Sequence, residues 1–294
     1  MNRYEIYIHP CVEITRSVIV VIDDLEQCLN RPKEIKLNIH RIRVDIKRLR
    51  AWIRLVRDQS DDQEWQVIDH GLRDMAKQLS ASRDEQIIAV TLKWLIGKTK
   101  NRDTQASISR INSYVQSDTC GHIFDWKTIN LPDKNMLKVL KHKTLLSCSD
   151  KIIKKGMQKT YKRALTCGLQ ACSPKGTFAA LHRLRKWVKY LYYQLEFVEV
   201  LHADDYKKIQ QQLDKLGKGL GKIHDLLLVK NRFQRFSEMA ECANDVNIAG
   251  TAADAEIKKL LKRSRRAFGK IFTLKPRQFT AGLKQEFIRY SYPQ

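Results

Sequence analysis

An eleven-residue pattern occurs twice in this chain and restricts the fold more than any other feature. Ile39 to Leu49, Ile-His-Arg-Ile-Arg-Val-Asp-Ile-Lys-Arg-Leu, aligns with Leu181 to Leu191, Leu-His-Arg-Leu-Arg-Lys-Trp-Val-Lys-Tyr-Leu, at an offset of 142 residues. Five of the eleven positions are identical and three more exchange only Ile, Leu and Val. Both copies space their apolar residues three and four apart, the period of one helix face. A second echo keeps the distance: Arg83-Asp84 follows His40 by about 43 residues, and His224-Asp225 follows His182 by about 43. Two signals at one offset imply a duplication, so the chain reads as two helical bundles built on one plan.

The punctuation agrees with an all-α chain. Among 294 residues there are 6 prolines and 12 glycines, and most fall between long stretches of helical period. Helices are predicted at roughly 11 to 30, 34 to 58, 62 to 80, 83 to 99, 103 to 117, 133 to 168, 175 to 202, 204 to 219, 222 to 243 and 250 to 270. Breaks are expected at Arg31-Pro32, in the acidic run Asp58 to Asp62, from Cys120 to Pro132 and at Ser173-Pro174, and the third of these marks the midpoint. No stretch shows sustained strand alternation. A hydrophobic content of 43% is enough for a core, which excludes disorder as the main state. No apolar run approaches the roughly 18 to 20 residues of a membrane span, and the start Met-Asn-Arg-Tyr-Glu lacks a signal-peptide core. A soluble, cytoplasmic protein is expected. Seven scattered cysteines without a CxxC pair read as reduced core thiols rather than a disulfide framework or zinc site.

Charge narrows the function. Lys and Arg number 55 against 32 Asp and Glu, a formal net charge of +23. Such an excess repels itself unless an anionic partner is near, so a polyanion or an acidic membrane surface is implied. The excess is patterned. At about 100° per residue, His40, Arg43, Lys47, Arg50 and Arg54 share one arc of a helix, beside the apolar arc of Ile42, Ile46, Leu49, Ile53 and Val56. His182, Arg185 and Lys189 take the same phase beside Leu184, Val188, Leu191 and Leu195. Like charges three and four apart repel by about 0.2 to 0.5 kcal/mol per pair, and few acidic residues lie near in sequence to relieve them. From Arg31 to Arg57 ten basic residues face two acidic ones, and from Lys134 to Arg163 ten face Asp150 alone. From Lys258 to Arg277 there are nine basic residues and none acidic. Anion binding is the stronger reading over a merely solvated face. Guanidinium forks suit bidentate phosphate contacts, and a histidine among them gains charge when a polyanion arrives.

These residues carry a family resemblance. His40 to Arg50 resembles the first signature of the CHAD family, the conserved-histidine α-helical domain. Leu181-His182-Arg183-Leu184-Arg185, with Lys189, Leu191, Tyr193 and Glu196, is similar to its second. Ser82-Arg83-Asp84 and Leu220-Gly221-Lys222-Ile223-His224-Asp225 resemble its two short motifs ending in Asp. The resemblance spans residues 10 to 270, with a first bundle at about 10 to 120, a second at about 133 to 270 and a C-terminal extension at 271 to 294. It implies two four-helix bundles related by a pseudo-twofold, with a basic pore between them that holds inorganic polyphosphate, often at polyphosphate granules. It also implies a binding module without catalytic residues or cofactors. Carried over by position, His40, Arg43, Lys47, Arg50, His182, Arg185 and Lys189 line that pore, and the phase of the stripe adds Arg54. The family's central basic helix corresponds to Lys151 through Arg163, with Lys151, Lys155, Lys159 and Lys162 on one face. The second copy departs in having Tyr192 at a basic position and His224 at a polar one, which leaves it fewer charges. Asp84 and Asp225 read as helix caps or as anchors for basic side chains, because a carboxylate repels phosphate.

Other chemistries find less support. Gly217-Lys218-Gly219-Leu220-Gly221-Lys222 lacks the glycine spacing, the Ser or Thr and the preceding strand of a phosphate loop, and reads as a helix-ending turn. Tyr4-Glu5-Ile6-Tyr7-Ile8 does not complete the ExExK pattern of triphosphate-tunnel enzymes. Nucleic-acid binding stays open as the competing reading, since net charge alone supports it equally. A metal-dependent phosphohydrolase using His40, His182 and His224 as ligands is a third, weakened by the cations that surround those histidines.

Overall fold

The computed structural model describes residues 4–31, 35–57, 63–118, 134–199, 204–236, 243–281, 283 and 288–292. Among them the chain is all-α apart from one short ribbon. The helices are α1 (Pro10–Leu29), α2 (Ile35–Val56), α3 (Gln63–Lys98), α4 (Arg102–Asp118), α5 (Lys134–Ser147), α6 (Asp150–Cys172), α7 (Phe178–Phe197), α8 (Asp204–Phe236), α9 (Ala243–Ile271) and α10 (Pro276–Ala281). The break expected at 120 to 132 and the acidic run Asp58 to Asp62 lie outside the described residues.

Three helix boundaries differ from the sequence reading. The single helix expected over 133 to 168 is two, α5 and α6, because Ser149 adopts extended backbone and its hydroxyl accepts the Ile152 N–H at 3.4 Å. That side chain starts a new helix where apolar periodicity shows no interruption. Conversely, the pairs expected at 62 to 80 with 83 to 99, and at 204 to 219 with 222 to 243, are the unbroken α3 and α8. Asp84 and Asp225 therefore sit inside helices and cap neither, and Gly217 to Lys222 is helix rather than turn. Glycine costs a helix interior up to about 1 kcal/mol, so α8 keeps three for a packing reason. A Cβ on Gly217 would lie 3.1 Å from Lys189 Cε of α7, and one on Gly219 3.3 Å from Ser264 Oγ of α9. The missing side chains let α8 fit between those two neighbours.

A further difference is the ribbon: β1 (Tyr4–Ile8) pairs antiparallel with β2 (Ile288–Tyr292), Tyr4 opposite Tyr292 and Ile8 opposite Ile288. Each strand is five residues long, too short for alternation to register, and its partner lies at the other end of the chain. The expected C-terminal extension closes on the core. Phe279 of α10 is buried and stacks on Tyr161 of α6 at 4.3 Å, while Tyr161 donates to the Leu274 carbonyl at 3.0 Å.

One continuous apolar core joins the two halves, running from Ile14 on α1 to Leu283. α2 packs on α1, α3, α6 and α7, and α7 on α6 and α8; α3 meets α8, and α4 meets α9. At the α2–α6 contact, Gly156 brings the α6 backbone against the Leu55 carbonyl, where any Cβ would collide. Cys11, Cys28, Cys148, Cys167 and Cys172 carry free thiols. Among the described residues no helix is long and apolar enough to cross a membrane.

Candidate functional site

The two copies of the repeat meet face to face. Arg48 on α2 pairs with Glu196 on α7 at 2.5 Å, the Ala51 carbonyl accepts the Gln194 Nε2–H at 3.0 Å, and the Arg54 guanidinium lies 4.4 Å above the Tyr190 ring. Rising numbers on α2 meet falling numbers on α7, so the helices run antiparallel. Ala51 packs with Tyr190 and Tyr193 at the crossing, and Ala51 and Tyr193 are the residues that the 142-residue offset aligns.

That crossing sets the geometry of the cations. His40 stands eleven residues before Ala51, and His182 eleven before Tyr193. The two stripes, His40, Arg43 and Lys47 on α2 and Lys189, Arg185 and His182 on α7, lead away from this crossing, each toward the N-terminus of its own helix, and together make up a cationic row. α3 and α8 flank it. Arg43 donates to the Ala76 carbonyl of α3 at 3.3 Å, while Arg185 and Lys189 lie over Gly221 and Gly217 of α8. α3 and α8 touch each other through Lys222 Nζ, 4.8 Å from the Trp94 ring. The histidines at the ends of the row are exposed, and Arg43, Lys47, Arg185 and Lys189 are half-buried.

The centre of the row is wired internally. Asp69 of α3, its side chain 6% exposed, accepts Arg50 Nε at 2.8 Å and both terminal nitrogens of Arg54 at 2.8 and 3.0 Å. Burial works to raise its carboxyl, yet the hydrogen bonds from Arg54 and Arg50 hold it far below the usual carboxylate range. Arg50 and Arg54, expected as ligands for phosphate, are thus anchored to protein. The sequence could not show this, because Asp69 is on the next helix and reaches α2 only through tertiary packing. On the other side Lys189 Nζ stands 3.6 Å from Asp214, and Lys218 pairs with the same carboxylate at 2.6 Å. Burial lowers the affinity of Lys189 for its proton, and Asp214 partly restores it. His182, whose ring centre is 5.3 Å from that of His224, is held below the usual histidine range by lost hydration and by the charges of Arg185 and Lys186.

His182 and His224 are neighbours, and among the described residues no group of three or more His, Cys, Asp or Glu is placed to hold a metal ion. Lys151, Lys155, Lys159 and Lys162 are exposed on α6. Lys159 and Lys162 line a groove with Arg183 and Trp187 of α7. Arg183 and Trp187 each precede a row residue, Arg185 and Lys189, by two positions, which is about 200° around the helix. Lys159 and Lys162 therefore meet α7 on the side away from Arg185 and Lys189. The contributions of Asp69 and Asp214 had no sequence signal, whereas Glu196 stood in the second signature and the α8 glycines in the glycine run.

The family model for the CHAD domain matches residues 23–234. Among solved structures the chain is similar to the CHAD domain from the plant Ricinus communis, with a TM-score of 0.63 and 16% identity over 89% of this chain and 92% of that one. It is also similar to PptA from Streptomyces chartreusis, with a TM-score of 0.59 and 12% identity over 90% of this chain and 99% of that one. No curated protein matches it. The structural likenesses bear on the fold.

Proposed function

Because this chain belongs to the CHAD domain family, which is linked to polyphosphate binding, we propose that it binds inorganic polyphosphate, without chemistry, along the row shared by α2 and α7. The observation that supports this most is the antiparallel crossing of α2 and α7. It brings two basic stripes, His40, Arg43 and Lys47 with His182, Arg185 and Lys189, to one crossing, more cations than a single phosphate can engage. Phosphate oxygens accept from Arg43 and Arg185 as charge-assisted hydrogen bonds, with the lysines as point charges and the exposed histidines as further donors. Arg50 and Arg54 serve as scaffold, fixed by Asp69. The carboxylates nearest the row, Asp69, Asp214 and Glu196, each hold a cation, an arrangement for binding rather than for acid–base chemistry. Cytoplasmic recruitment to polyphosphate granules follows from such an affinity.

The test is capture of the purified chain by long-chain polyphosphate, with DNA and RNA as competitors over a salt series. Arg43→Glu with Arg185→Glu should weaken capture at least about a hundredfold while helicity by circular dichroism is kept, since each lost charge-assisted contact is worth roughly 1.5–3 kcal/mol. Full binding in that double variant, or nucleic acid competing equally per phosphate, overturns the assignment.

A further inference from the structure

The groove between α6 and α7 is separate from the polyphosphate row, and its chemistry differs. It has a volume of about 550 Å³, within the range of small-molecule sites. Lys159, Lys162 and Arg163 line it from α6 and Arg183 from α7, and none of its lining residues is acidic. Its floor is not ionic: it holds the half-buried indole of Trp187 and the thiol of Cys167, which is 8% exposed. Burial pushes that thiol up, so it stays protonated, while the charges of Arg183 and Arg163 both act to lower it. Guanidinium groups from two helices thus converge on one point. The indole is held from behind by Tyr190, edge to face at 5.6 Å and 76°, a favoured aromatic geometry.

A bare phosphate chain would use the cationic rim of this groove and gain nothing from its floor. An anion that carries a planar aromatic body uses both. We propose that the α6–α7 groove is a nucleotide site, taking a nucleoside triphosphate with its base on Trp187 and its phosphates on Arg163, Arg183 and Lys162. A pocket bounded on two sides suits a mononucleotide better than a strand of nucleic acid, whose neighbouring bases would need further aromatic platforms. The assignment gives the protein two anion sites on opposite faces of α7, one for a polymer and one for a nucleotide. It stands independently of the polyphosphate reading.

The experiment compares magnesium-free ATP with tripolyphosphate, which lacks the base, on the full chain at one salt concentration. ATP should quench tryptophan emission at a single saturable site and bind about tenfold tighter than tripolyphosphate, a difference of about 1.4 kcal/mol. Trp187→Leu should remove both the quenching and the preference. Arg183→Ala changes an exposed residue and tests the site even if Trp187→Leu does not fold. It should weaken ATP about tenfold while long-chain polyphosphate binding stays within twofold. Arg43→Glu with Arg185→Glu should do the reverse. Equal affinity for ATP and tripolyphosphate overturns the proposal, as does a preference that survives Trp187→Leu or ATP binding lost in the row variant. An oligothymidylate that displaces ATP at equal nucleotide concentration overturns the mononucleotide assignment.

Discussion

The two halves of the cationic row hold their charges by different physics. On α2, Arg50 and Arg54 are fixed by a buried carboxylate, with Arg54 only 9% and Asp69 6% exposed. On α7, Arg185 and Lys189 lie across α8 where Gly221 and Gly217 leave clearance, and Asp214 is a looser partner at 3.6 Å. One repeated pattern of sequence is thus tied down by a buried carboxylate in one half and by a looser, partly solvated one in the other. On the polyphosphate reading, the α2 anchor serves stability and the α7 clearance serves binding.

The largest expected effect tests the α2 anchor. Asp69→Asn leaves two buried guanidinium groups uncompensated and should destabilise the fold by about 3–5 kcal/mol, whereas Asp214→Asn, with both partners partly solvated, should cost less than about 1 kcal/mol. Urea unfolding of the two variants decides it, and equal losses would erase the distinction between the halves. The pH dependence has a definite sign. The Asp69 carboxyl is depressed in the folded state, so its contribution is present above the unfolded aspartate value of about 4 and is lost as pH falls below it.

A second contrast lies one helical turn back. Asp45 on α2 is buried, with Oδ2 lacking a hydrogen-bond partner among the described residues and Arg48 no nearer than 3.7 Å. The offset of 142 places Trp187 at the matching position of α7. Burial pushes the Asp45 carboxyl up to about 6, with Arg48 opposing only in part. A raised folded value means that stability is full below about pH 4 and declines as pH rises through about 6. Asp45→Asn should therefore stabilise the protein by about 1–2 kcal/mol at pH 8 and change little at pH 4, as read by thermal unfolding at the two pH values. Arg48 is not orphaned by the change, because Glu196 still holds it. A variant less stable at pH 8 would show that Asp45 is a working ion pair.

The phases of these residues were legible in the sequence because they depend only on helical period. Ile42, Ile46, Leu49 and Ile53 are fully buried as their arc requires, and Leu184, Val188, Leu191 and Leu195 are buried in α7. What sequence could not supply were contacts between elements. The expectation that α2 lacked acidic relief failed on Asp69, which is 15 residues beyond Arg54 and is brought back by the reversal of the chain between α2 and α3. The α6 lysines join the phosphate-binding set through the family resemblance to a central basic helix, but which side of α7 Lys159 and Lys162 face depends on helix packing. The glycine run in α8 was misread because glycine signals both a turn and a close approach, and only the neighbour decides between them.

That ambiguity supplies the smallest and most discriminating prediction. Replacing Gly217 by Ala removes a flexible residue from the middle of α8, a change worth about 0.5–1 kcal/mol in favour of the helix. The new methyl group would sit 3.1 Å from Lys189 Cε and 3.5 Å from Nζ, the far end of a flexible side chain rather than backbone. Lys189 can yield by a few tenths of an ångström, so the helix gain should survive, and Gly217→Ala should raise the urea midpoint slightly. The displaced ammonium would leave the row, so polyphosphate affinity should fall about two- to threefold and the slope of affinity against salt should flatten by up to about one unit. If stability and affinity rise together, the glycine is not kept for Lys189, and α7 holds its cations some other way. If stability falls, the contact with Lys189 is rigid after all, and the second half is anchored as firmly as the first.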